Sequence, residues 1–328
     1  MPREQLPYTP SVFRFERARE VAERFEDLLR TLTISPVPGG SLERMTLSIY
    51  DILYHTRPGH SIDGTDIRPL FADMAGQAEL AHQLLEVRNH PNFGELVPHL
   101  HLLNQGEAAQ SRPARHSDAA SNKIFELLAA CYAMRCGSNV RLDHPEQSRG
   151  DNPDVLATIR GRRWGIACKV LHSLHPESVI QNIDKGLSQI DCSPAETGFV
   201  FLSLKNVLDR DKYWQLSNAD EWQDGADPIF QTFIAPKIPL LLLQGDVTAI
   251  AKTVGDWVGD QYLRERFAKT RALGGVMLYA HIVCGVRVPS GKPVPMTLRL
   301  PTWAGLGHLG NDESVVLECI NRVAQDIP

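Results

Sequence analysis

The hydrophobic period changes part-way along the chain, and that change restricts the folds open to it. Up to about residue 110 the apolar residues recur at helical spacing; between Ser121 and Leu204 the pattern becomes helix, strand, strand, strand, helix, strand. Ser121 to Arg135 reads as a helix stopped by Gly137, expected in the left-handed cap conformation. Asn139 to Leu142 and Asp154 to Ile159 read as short strands, and Arg160-Gly161-Arg162 is a tight connection into Trp164 to Leu171, which predicts a hairpin. Pro176 opens a helix carrying Val179, Ile180, Ile183, Leu187 and Ile190, and Gly198 to Leu204 has the run of a buried strand. The order is αβββαβ, and the fold class expected is α/β.

The flanks read differently. Phe13 to Leu32, Ser41 to about His55, Gln77 to Val87 and about Asn92 to Leu103 have helical spacing, with Pro98 at a boundary or kink. Polar Gln105 to Ser117 is the best linker, so the expected division is a helical region over 1–115 and an α/β domain over 116–328 with a C-terminal α+β extension. In that extension Val254 to Leu273 predicts a helix, Gly275 to Val283 and Pro295 to Leu300 predict strands around a Pro-Ser-Gly-Lys-Pro turn, and Glu313 to Ala324 predicts the last helix. Tyr213 to Asp227, with two tryptophans, reads equally as a loop or a substrate-facing insertion.

Charge narrows the function. The 328 residues carry a formal net charge of -5, and the stretch up to Arg115 holds 12 Arg, no Lys and 15 acidic residues, so bulk attraction to nucleic acid is excluded while a local basic groove is not. The six cysteines lack CxxC spacing and several lie in apolar runs, which favours reduced thiols over disulfides or zinc. The first ten residues contain no apolar signal core, and the longest greasy run, Ile238 to Leu243, is too short to span a bilayer. A soluble cytoplasmic protein is expected, without membrane contact, assembling as a homo-oligomer or with a partner protein through its N-terminal helices.

Hydrolysis of a phosphodiester with a divalent metal needs carboxylates to hold the ion, an activated water and a cation near the phosphate. Asp154 opens one predicted strand, Lys169 lies on the next, and the intervening turn brings those strands side by side. Glu126 stands on the preceding helix with Ala129, Ala130 and Ala133, a small-residue row that lets a helix approach a sheet. Arg141, Arg149, Arg160, Arg162 and Arg163 surround these strands and are candidate phosphate contacts, or the charges of a solvated turn. His99 and His101, two apart, suit neither one helix face nor a paired metal ligand and read as surface or partly buried. His172 and His175, lacking a comparable third ligand, read as surface residues.

Glu126, Pro153-Asp154 and Lys169 in this element order resemble the PD-(D/E)xK nuclease superfamily, whose restriction-endonuclease-like core is αβββαβ, over roughly residues 116–205. The resemblance implies an Mg²⁺- or Mn²⁺-dependent nuclease acting on DNA, in a restriction or phage-defence setting. It implies Asp154 and the main-chain carbonyl of Cys168 as metal ligands, Glu126 in support of the metal, and Lys169 at the attacking water. Lys185 or Gln189 would fill an accessory position near phosphate. The chain departs from the motif where the second acid should stand two residues before the lysine, because that residue is Ala167. A methyl group ligates nothing, and Cys168 faces the other side of its strand. An introduced or recent loss of the acid, which would leave this chain an inactivated nuclease, is the expectation; a nuclease-like fold without catalysis that binds nucleic acid or a protein, and an acid supplied from elsewhere, are the alternatives. The first predicts that Ala167→Glu creates or restores cleavage.

Overall fold

The computed structural model describes residues 15–55, 66–147, 150–213, 217–218, 237–287, 293–305 and 309–326. The chain opens with α1 (Phe15–Thr31), α2 (Ser41–His55) and α3 (Arg68–Val87). α1 buries Val21, Phe25 and Leu29, one stripe of an amphipathic helix. α3 begins nine residues before the predicted Gln77, with Pro69 in its first turn. It is buried on almost every side, between α1, α2, α5 and β6, so its apolar residues show no single stripe. The helix expected over 92–103 is broken into a 3₁₀ turn, one α turn, α4 (Val97–Leu100), and a second 3₁₀ turn. Pro98 sits where it interrupts the ladder by lacking an N–H.

The predicted linker is a packed segment. Ala108, Ala109, Gln110 and Ser111 are buried. Glu107 pairs with Arg44 at 2.8 Å, and Arg44 also reaches Asp73, which Arg112 holds at 2.7 Å. Asp118 closes the segment: one carboxylate oxygen accepts from the Glu107 N–H at 2.7 Å and the other from the Ser121 N–H at 2.9 Å. The second bond caps α5 (Ala119–Cys136), supplying a partner for an N–H that the helix start leaves free. Gly137 after α5 is extended, with φ -159°, and not left-handed. Its use is close approach, since a Cβ there meets the Thr158 carbonyl at 2.4 Å.

β1 (Ser138–Leu142), β2 (Val155–Ile159), β3 (Arg162–Val170), α6 (Pro176–Cys192) and β4 (Thr197–Ser203) follow. Arg160 and Gly161, with φ of 51° and 77°, form the two-residue turn that suits the twist of a β2–β3 hairpin. Beyond β4 come β5 (Ser217–Asn218), α7 (Lys237–Val258), α8 (Gln261–Ala268), β6 (Ala272–Arg287), β7 (Pro293–Gly305) and α9 (Asn311–Gln325). The single helix expected over 254–273 is thus two, parted at Gly259 and Asp260, where the Asp260 side chain caps α8. The Pro-Ser-Gly-Lys-Pro turn lies outside the described residues except for its last residue, Pro293, which opens β7, and so do Tyr213 to Asp227 apart from Tyr213 and β5.

The described strands form one mixed sheet in the order β1-β2-β3-β4-β6-β5, with β7 paired to β6. β1, β2 and β3 are antiparallel, β3, β4 and β6 parallel, and β6 and β7 antiparallel. On one face Trp164, Ile166 and Cys168 join a core built with α1, α3, α5 and α9, which draws on residues from both sides of position 115. On the other, Ala167 and Leu171 join a core with α6, α7 and α8. A buried polar knot ties α3 to the sheet: Glu79 accepts from the hydroxyls of Tyr132 and Tyr279, lies 2.8 Å from His281 Nδ1, and faces Arg299. Burial alone raises a carboxyl, but His281, Arg299 and Tyr279 outweigh it and hold Glu79 at about 2.

Candidate active site

Four of the residues singled out in the sequence meet where β2 begins and β3 runs past it. Asp154 stands just before β2, and its Oδ2 accepts from the Cys168 N–H at 2.6 Å, taking the place of a ladder bond beyond the end of the strand. The same oxygen accepts from Lys169 Nζ at 3.2 Å, and Lys169 also donates to the Cys168 carbonyl at 2.8 Å. The ammonium therefore bridges the two oxygens that the resemblance assigned to a metal. Glu126 arrives from α5, which packs on β1, β2 and β3, and its carboxyl group comes to lie beside that of Asp154.

Two further residues hold Glu126, and neither was picked out in the sequence as part of a site. Lys123, one turn earlier on α5, donates to Glu126 Oε2 at 2.8 Å, and His99 Nε2 lies 3.4 Å from the same oxygen. His99 is 1% exposed, which corrects the expectation of a surface or partly buried histidine. Lys123 was legible, being three residues before Glu126 on a helix. His99 was not, because it comes from α4, and its approach to α5 is a tertiary fact.

Burial sets the electrostatics. Asp154 is 4% exposed, and burial together with the neighbouring Glu126 pushes its carboxyl up to about 6 despite Lys169 and Lys123. Glu126 is raised for the same first reason, against the pull of Lys123 and Lys169. His99 is pushed down to about 3 by burial and by Lys123, so its ring is neutral at physiological pH. Burial would lower Lys123, but Glu126, Asp154 and Asp143 more than compensate and raise it. Three atoms of this neighbourhood are buried without a hydrogen-bond partner among the described residues: His99 Nδ1, Asn122 Oδ1 and Asp143 Oδ2.

Ala167 does not face this cluster. Its methyl is fully buried in the core under α6, where a Cβ added to Gly186 would lie 3.2 Å from it and 2.8 Å from Val200. Small residues on helix and strand let α6 sit close to the sheet, and the methyl has a packing role. Of the accessory pair, Lys185 is exposed and lines a polar cleft of ≈ 770 Å³ with Asn122, Val170, His172, Asn182 and Ser188. Gln189 is 6% exposed and is not among the residues lining that cleft. Asn122 lies one turn before Glu126 and Val170 follows Lys169, so the cleft opens beside the cluster.

The arginines of the hairpin are engaged elsewhere. Arg160 pairs with Asp312 and Arg162 with Glu313, both on α9, and Arg163 donates to the Asn139 carbonyl at 2.6 Å. Arg149 lies outside the described residues. The His172 ring lies against that of His116, tilted by 52° with centroids 4.7 Å apart, and approaches Asn206, while His175 is exposed beside the start of α6.

Among the described residues no three His, Cys, Asp or Glu side chains form a group placed to hold a metal. The donors present are two carboxylates and a main-chain carbonyl, with the partnerless Asp143 oxygen nearby; these hard oxygens suit Mg²⁺ or Mn²⁺. Two crowded carboxyls, each raised by burial, are also what a divalent ion would relieve, so the residues fit such an ion in chemistry. Comparison of the chain with protein-family models, with curated proteins and with solved structures finds no match in any of the three.

Proposed function

We propose that this chain hydrolyses phosphodiester bonds of DNA in a metal-dependent reaction, on a restriction-endonuclease-like core formed by α5, β1, β2, β3, α6 and β4. One observation carries the reading: Glu126, Asp154, Lys169 and the Cys168 carbonyl converge at the open end of a hairpin inside that element order. Of the three explanations for Ala167, the contacts favour an acid supplied from elsewhere, and Glu126 is that acid. A setting in restriction or phage defence belongs to this reading.

Mg²⁺ or Mn²⁺ held by Asp154, Glu126 and the Cys168 carbonyl would supply charge neutralisation and an activated water. The chain's own residues account for the remainder. Lys169, whose ammonium reaches Asp154 and the Cys168 carbonyl, would place a fixed positive charge beside the phosphate, where a cation in a dry site is most effective. Lys123 balances Glu126, so that two buried carboxylates are tolerated at one place. Neutral His99 offers Glu126 a hydrogen bond without adding charge.

Cleavage of plasmid DNA by the native chain in Mg²⁺ or Mn²⁺, and its disappearance with EDTA and in Asp154→Asn, is the expected outcome. Nicking that persists at full rate in Asp154→Asn contradicts the assignment. A second reading, a non-catalytic nuclease fold that binds nucleic acid or a protein, draws on the neutralisation of Asp154 by Lys169 and of Glu126 by Lys123. It predicts salt-dependent DNA binding, or a protein complex, without cleavage in any metal.

A further inference from the structure

Away from this cluster, the far end of α5 meets α9 across a cavity of ≈ 930 Å³ lined by Arg135, Cys136, Arg160, Glu318, Cys319 and Arg322, among others. Cys136 is the last residue of α5 and Cys319 sits in the middle of α9; both are half-buried, and their thiols are hydrogen-bonded to each other. Of the other four cysteines, Cys131, Cys168 and Cys284 are buried and Cys192 is exposed.

We propose that Cys136 and Cys319 are a peroxide-responsive pair, in which Cys319 is oxidised by a hydroperoxide and Cys136 resolves the product into a disulfide joining α5 to α9. The two sulfurs have different characters, as such a division of labour requires. The hydrogen bond from Cys136 and the neighbouring Arg322 bring the Cys319 thiol below its ordinary value and favour its thiolate. The bond to Cys319 and burial push Cys136 up, so it keeps its proton and donates it. Arg135, Arg160 and Arg322 are the cations lining the cavity, and Glu318 and Asp326 are acids on the same wall. Arg135 is already paired with Asp326, while Arg322, one turn along α9, interacts with Cys319.

The chemistry closes. The Cys319 thiolate attacks one oxygen of H₂O₂, the O–O bond breaks, and the departing hydroxide takes a proton to leave as water. This oxidises Cys319 by two electrons to a sulfenic acid. Cys136 then attacks that sulfur, an S–S bond replaces the S–O bond, and the hydroxyl leaves with the Cys136 proton as a second water. Two thiols and one peroxide give one disulfide and two waters. Because α5 also carries Lys123 and Glu126, the link fixes the far end of the helix that builds the catalytic cluster, yet the proposal does not depend on what that cluster does.

The test treats the full chain with a slight molar excess of H₂O₂, alkylates remaining thiols, and maps peptides by mass spectrometry. The expected product is an intramolecular disulfide joining Cys136 to Cys319, accompanied by an upward shift in the midpoint of thermal unfolding that dithiothreitol reverses. In Cys136→Ser the reaction should stop at the sulfenic acid, trapped as a dimedone adduct on Cys319; in Cys319→Ser no adduct should form at Cys136. Absence of the linked peptide in the native chain, or dimedone labelling at exposed Cys192 in preference to Cys319, overturns the proposal.

Discussion

At the scale of single residues, the site is a set of buried charges whose protonation depends on one another. Asp154, at about 6, lies above its ordinary 3.8, so the folded chain holds a proton there that the unfolded chain has lost. Its contribution to stability is therefore full below 3.8 and falls away as the pH rises through about 6, by about 3 kcal/mol for a shift of some two units. His99 has the opposite sign over much the same window: its pKa lies below the ordinary value, so its stabilising contribution grows as pH rises from about 3 toward 6.5. The two slopes oppose each other in the native protein, and Asp154→Asn removes only one. Urea unfolding at a series of pH values should show the variant gaining stability relative to the parent between pH 4 and 7. A flat difference, or one that falls with pH, would mean that Asp154 is not raised. Asp154 and Lys169 could be nominated from the sequence because residue type and spacing across a hairpin mark them. His99 and Asp143 could not, since nothing near them in the chain indicates that they come to lie beside α5.

Among the elements, α5 does most to place the site, and its start is fixed by Asp118. That carboxylate caps the helix and anchors the Glu107 N–H, so both the first turn and the preceding segment depend on it. Asp118→Ala should lower stability by about 0.5–2 kcal/mol in equilibrium denaturation, the range for losing a helix cap. A variant as stable as the parent would mean that the cap is dispensable. Elements with one apolar stripe or a sharp turn, such as α1, α6 and the β2–β3 hairpin, were legible because period and turn chemistry are local. The start of α3 was hidden by burial on nearly all sides. The segment before α5 read as a linker because its polar residues look solvated in sequence, whereas Glu107, Arg112 and Asp118 spend that polarity on one another and on Arg44.

For the whole molecule, the sheet separates two cores, and the consequence reaches the site. Ala167 and Lys169 are alternate residues of β3, yet the first belongs to the packing under α6 and the second returns to Asp154 at the end of the hairpin. Sequence alone reads Ala167 as a missing acid; the assembled molecule gives it Gly186 and Val200 as neighbours and provides Glu126 as the second carboxylate. The N-terminal helices are part of the same arrangement, since α4 contributes His99 and α3 contributes Glu79 to a knot with β6 and β7. The most direct measurement is DNA cleavage in Mg²⁺ and Mn²⁺ by the native chain, Glu126→Gln and Ala167→Glu side by side, each checked for folding by thermal unfolding. The account predicts cleavage by the native chain, its loss in Glu126→Gln, and no gain in Ala167→Glu, which should also unfold more easily because it forces a carboxylate against α6. An inert native chain that Ala167→Glu turns into a nuclease would contradict it.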